Sequence, residues 1–158
     1  MSAVSLIASL ALVCALDGTA VAPAGEPATA AIAPAPKEQI LGVWKGSSIC
    51  TKVEGNEFCR DETVVYNFVD IPDQPQTVGL KAGRVVDDSV QPMYELYFTY
   101  RPGTGDWSCE FSRPKFTGVW TYVVHGDDMT GTATLTPSQK VVRNVSVKRT
   151  AKEQVVAH

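Results

Sequence analysis

The chain has 158 residues, 44% of them hydrophobic and 20% charged, with a formal net charge of −3. That length is one domain's worth, and charges of both signs are interspersed without a basic face, which argues against a nucleic-acid partner. Thirteen aromatic residues all fall between Trp44 and Tyr122, so the core is expected there and the N-terminal stretch outside it.

In chain order, Val4 to Leu16 is almost wholly apolar. A membrane span needs about 20 such residues; this run has the length of the apolar region of an export signal. Gly18-Thr19-Ala20 supplies small residues for cleavage, so residues 1–20 are expected to be a signal peptide, with Val21 opening the mature chain. Cys14 follows Val13 rather than a small residue, which argues against a lipid anchor. Export implies a periplasmic or secreted protein. Residues 21–38 are rich in Ala and Pro. Pro23, Pro27, Pro34 and Pro36 remove backbone donors and fix φ, so a disordered tether is expected.

Three cysteines remain. Cys50 ends the first predicted strand, Cys59 precedes the second, and Gly55-Asn56 marks a turn between them. An exported chain meets an oxidising compartment, so a Cys50–Cys59 disulfide is expected. Cys109 lies in phase with Trp107 and Phe111, as an inward, inert thiol would; an intermolecular bridge is the other reading.

Residues 39–150 form the predicted domain, followed by a disordered tail at 151–158. Period-2 alternation and turn residues place strands at about 42–50, 62–69, 77–86, 90–100, 106–112, 117–125, 128–136 and 139–149. No stretch carries a helical stripe. Eight hairpin-linked strands predict an all-β, up-and-down antiparallel barrel, which removes sheet edges and is just wide enough to hold one small molecule; an open sandwich is the rival. The predicted inner face includes Val64, Tyr66 and Phe68; Tyr94, Leu96, Phe98 and Tyr100; Trp120, Tyr122 and Val124; and Met129, Gly131, Ala133 and Leu135. Met93 falls on the outer side. Gly131, Ala133 and Ala82 are small enough to leave room inside. On the last strand Val141, Val145 and Val147 share a side with Arg143 and Arg149. An Arg in an apolar row needs a partner: either Arg143 stacks on Trp44, or its head reaches water at the rim.

No chemistry of catalysis stands out. His125 and His158 are the only histidines, too scattered for a metal site, and no cofactor is expected. There is no nucleophile elbow or phosphate loop. The acidic pairs Asp61-Glu62, Asp87-Asp88 and Asp127-Asp128 lie at turns or strand ends, where adjacent strand residues face opposite ways. The chain is not expected to be an enzyme.

Gly42-Val43-Trp44 at the start of the first strand, with an Arg on the last, resembles the calycin superfamily (lipocalins, avidins and fatty-acid-binding proteins). The resemblance implies a Trp44 that closes the barrel floor, a structural Gly42 and an Arg143 packed across the Trp. It does not carry over a ligand. The lipocalin helix after the last strand is missing, no avidin biotin residues match, and Val145 stands where a fatty-acid-binding protein would place a Tyr. The domain also resembles small exported bacterial proteins with the same Trp-Lys-Gly start and paired cysteines, and bacterial inhibitors of serralysin-type metalloproteases.

The first functional expectation is a barrel that binds a small apolar or amphipathic molecule. Tyr66, Phe68, Tyr94, Phe98, Trp107 and Trp120 would line its pocket, and Arg84 and Arg143 would anchor an anionic group. The second is an inhibitor of a secreted protease, with residues 21–38 as its arm. The third is a structural envelope protein without a ligand. A filled interior would favour the second or third, and a void above roughly 300 Å³ the first.

Overall fold

The computed structural model describes residues 36–53, 56–114 and 116–152. The expected signal peptide, most of the tether and most of the tail lie outside these residues.

One helical turn, α1 (Lys37–Ile40), leads into eight strands: β1 (Gly42–Cys50), β2 (Glu62–Asp70), β3 (Thr77–Val86), β4 (Ser89–Arg101), β5 (Asp106–Arg113), β6 (Phe116–His125), β7 (Asp128–Thr136) and β8 (Val141–Ala151). Each strand pairs antiparallel with the next, and β1 pairs with β8, closing the barrel. The expected fold is therefore observed, with two differences at its ends. Lys37 and Glu38, assigned above to the tether, belong to α1, and Ala151 belongs to β8 rather than to the tail.

Turn chemistry sets the hairpins. Asp87 and Asp88 both have positive φ (47° and 61°) and join β3 to β4 as a two-residue loop whose twist suits the flanking strands. Gly126 (φ 63°) opens the equally short β6–β7 loop. Gly42 adopts φ 116° where α1 gives way to β1, a conformation that favours glycine.

Because neighbouring strands run in opposite directions, the start of β1 shares one end of the barrel with the end of β8. Trp44 is fully buried there, and its Nε1 donates to the Ile40 carbonyl at 2.8 Å. The guanidinium across Trp44 belongs to Arg149, with Cζ 4.1 Å from the ring centroid. It donates to the carbonyls of Gln39 (2.5 Å) and Leu41 and to Asp127 Oδ1 (3.0 Å). The expectation for Arg143 is thus corrected: both arginines share the inner phase of β8, but Trp44 is opposite Arg149, and Cys50 is opposite Arg143.

This end is solid. Phe68, Phe98 and Tyr122 meet with centroids 5.1–5.9 Å apart, in the tilted and edge-to-face arrangements that aromatic quadrupoles favour. Trp107, Val78, Leu80, Met129 and Val147 fill the spaces between them.

Bulges account for two further corrections. On β8, Ala133 pairs with Arg143 but Thr134 with Val141, leaving Val142 as an extra residue. Val142, not Val141, therefore packs against the core. On β4, Ala82 pairs with Tyr94 but Gly83 with Pro92, so Met93 bulges and packs inward instead of outward. Gly131 does not leave free room: the Tyr122 ring occupies the space its side chain would take.

Candidate functional site

The other end of the barrel is hollow. A cavity of about 680 Å³ is walled by Tyr94 and Leu96 of β4, Phe111 and Arg113 of β5, Phe116 and Trp120 of β6, Ala133 and Leu135 of β7, and Val142 and Arg143 of β8. Arg113 and Leu135 lie near the ends of β5 and β7, and Phe116, Val142 and Arg143 near the starts of β6 and β8, which strand direction places at the Cys50 end, away from Trp44; Tyr94, Leu96, Trp120 and Ala133 stand nearer mid-strand.

The mouth is shaped by the loop between β1 and β2, whose Asn56, Glu57, Phe58 and Cys59 also reach the cavity. Cys50 and Cys59 form the expected disulfide, with Cα atoms 5.9 Å apart. Thr51 N–H and Asn56 Nδ2 both donate to the Val142 carbonyl, at 3.0 and 2.9 Å, and Asp61 Oδ1 accepts from Cys50 N–H at 2.8 Å. The loop is thus tied to β8 as well as to its own ends. Phe58 (94% exposed) and Phe116 (48%) stand out from this rim as large apolar groups in water.

One wall is incompletely zipped. β4 and β5 pair only through Thr99–Ser108, Tyr100–Trp107 and Arg101–Asp106, all next to their connecting turn. The bidentate Arg101–Asp106 ion pair (2.6 and 2.7 Å) holds that corner. Towards the mouth the two strands carry no rungs between them among the described residues, and Tyr94 and Leu96 of β4 and Phe111 and Arg113 of β5 line the cavity on that side.

The residues expected to bind a ligand divide accordingly. Tyr94, Trp120 and Arg143 line the cavity. Phe68, Phe98 and Trp107 pack in the solid end. Tyr66 is fully buried between the two regions, its ring edge-on to Tyr122 at 5.9 Å. Arg84 is half exposed and 3.7 Å from Glu62. The sequence reading did not assign Phe111, Leu135, Val142 or the disulfide loop to the site; Phe111 and Leu135 had the right phase, and only the bulge hid Val142.

The polar groups here are arranged with care. Arg143 donates to Ser48 Oγ (2.6 Å) and the Arg60 carbonyl (2.6 Å) and lies 3.0 Å from Glu62 Oε2. One carboxylate therefore engages both arginines expected to anchor an anion. Burial pushes the hydroxyl pKa values of Tyr66, Tyr94 and Tyr122 above the ordinary tyrosine value. Burial likewise raises the Cys109 thiol, which keeps it protonated and unreactive. Among the described residues, no group of three or more His, Cys, Asp or Glu side chains is placed to hold a metal ion, and no helix is long and apolar enough to cross a membrane.

What this arrangement can do is surround a small molecule with apolar wall and offer a few polar groups at its inner end. No family model, curated protein or solved structure matches the chain.

Proposed function

We propose that the barrel binds a small apolar or amphipathic molecule through its Cys50 end. The observation that carries this reading is the cavity of about 680 Å³ walled mainly by aromatic and aliphatic side chains, within the size range of small-molecule sites. A void of this size favours a ligand-binding barrel over an inhibitor or a purely structural barrel. Trp44 beneath Arg149 supports a calycin-like reading of the same architecture. The disulfide is consistent with an oxidising, extracytoplasmic setting, and with the apolar N-terminal run it supports a periplasmic or secreted protein. Binding is the proposed activity.

The test is titration with the neutral polarity-sensitive dye N-phenyl-1-naphthylamine. Trp120 is in the cavity wall while Trp44 and Trp107 are buried at the solid end. Saturable dye fluorescence with quenching of Trp emission is expected, and Trp120→Phe removes most of the quenching. Absence of saturable binding by the intact protein overturns the proposal.

A further inference from the structure

Below the cavity, three phenols and a serine converge. Tyr94 is in the cavity wall. Its hydroxyl neighbours that of Tyr66, which in turn neighbours Tyr122 and Ser48. Tyr66 and Tyr122 are both 0% exposed. Beyond this cluster of hydroxyls, neither has a hydrogen-bond partner among the described residues. Hydroxyls that can bond only to one another leave a donor over, and a spare buried donor beneath an apolar cavity is a sign of a group to be received. Trp120 lies flat against Tyr122, with centroids 6.0 Å apart and planes within 5°, and so links the cavity wall directly to the phenols.

The charge available here selects the kind of group. Glu62 Oε2 lies 3.0 Å from Arg143 and Oε1 lies 3.7 Å from Arg84. The Arg143 head is further occupied by Ser48 and the Arg60 carbonyl. An incoming carboxylate would meet guanidinium groups already paired and a like charge on Glu62. An uncharged oxygen meets only neutral O–H donors.

Building on the ligand-binding reading above, we propose that Tyr66, Tyr94 and Tyr122 form a recognition site for an uncharged oxygen acceptor, a ketone- or ester-type carbonyl, on an otherwise apolar ligand. The apolar remainder lies against Trp120, Phe111, Leu96 and Leu135. Burial keeps the phenols protonated, so they remain donors across the physiological range.

Displacement of N-phenyl-1-naphthylamine by n-octane, 2-octanone and octanoate at pH 8 tests the assignment. The ketone is expected to compete more strongly than the alkane, by about three- to tenfold for one net hydrogen bond, and octanoate to be weakest. Tyr66→Phe and Tyr122→Phe, which remove only an oxygen, are each expected to erode the ketone's advantage and leave alkane and dye binding unchanged. Equal displacement by ketone and alkane, or an advantage that survives both substitutions, overturns the phenol site but leaves the ligand-binding reading standing. Tightest binding by octanoate, lost in Arg143→Met, overturns it in favour of an anion site. Failure of the dye itself to bind overturns both readings.

Discussion

Arg149 ties the α1 turn and the β6–β7 loop to the Trp44 end of the barrel. Its side chain is 8% exposed; it covers Trp44 and gathers the carbonyls of Gln39 and Leu41 with the Asp127 carboxylate. Arg149→Ala uncovers Trp44 and takes the donor from the part-buried Leu41 carbonyl, and is expected to cost about 2–4 kcal/mol in urea unfolding. Arg149→Lys is expected to restore only part of this, because an ammonium lacks the planar fork. The choice between Arg149 and Arg143 was legible in principle: an early residue of the first strand must lie opposite a late residue of the last. Phase alone, which the two arginines share, could not separate them. The buried tyrosines give a second expectation. Tyr66, Tyr94 and Tyr122 all have hydroxyl pKa values raised above the ordinary value of 10.0. The unfolded chain therefore ionises first, so stability is complete below about pH 10 and falls as pH rises beyond it. While each phenol stays protonated only in the folded state, it steepens the loss by up to about 1.4 kcal/mol per pH unit. Phenolate absorbance near 295 nm from these three is expected to appear together with unfolding; their ionisation in a still-folded barrel would contradict the burial argument.

The strands themselves were readable because one face of each had to be apolar and the turns carried Asp, Gly and Pro. What periodicity could not show were the extra residues Met93 and Val142, since a bulge shifts the inner phase by one residue and leaves no compositional mark beyond Pro92. Three of the expected pocket aromatics had the correct inward phase but the wrong depth: Phe68, Phe98 and Trp107 belong to the packed layers, and Tyr66 is buried just beneath the cavity. Alternation tells inside from outside and is silent on height along the barrel. The Cys50–Cys59 loop was visible as a disulfide but not as a wall of the cavity. Its removal by the double substitution Cys50→Ala and Cys59→Ala is expected to cost about 2–3 kcal/mol by the loop-closure argument. Because Asn56, Glu57 and Phe58 reach the cavity, the same variant is expected to bind N-phenyl-1-naphthylamine more weakly. An unchanged unfolding midpoint and dye affinity would mean that Thr51, Asn56 and Asp61 hold the loop unaided.

Closing β1 onto β8 joins the ends of the described fold, yet the closed ring is not uniform along its axis. One end has Trp44, the Phe68–Phe98–Tyr122 cluster and the Arg101–Asp106 corner; the other has a cavity and a β4–β5 seam without rungs. Most backbone groups facing that seam lack the strand rungs that slow solvent exchange, the contact of the Tyr97 backbone with the Cys109 sulfur being an exception. Hydrogen exchange is therefore expected to be slowest in β1, β8 and the β6–β7 ladder near the solid end, and fastest among strand amides for those of residues 89–98 and 109–113 that point across the seam rather than into the β3–β4 or β5–β6 ladder. Filling the cavity changes the balance. A ligand that binds only the folded state adds about 2.7 kcal/mol at a concentration 100 times its dissociation constant. For a ligand seated between Tyr94, Leu96 and Phe111, that stabilisation should suppress the local openings that separate β4 from β5. Added 2-octanone is thus expected to raise protection at the seam more than at the solid end under conditions where exchange proceeds by local opening. Equal protection at both ends in the free protein would remove the basis for this asymmetry. A ligand that protected only the Trp44 end would place binding where the barrel is already full.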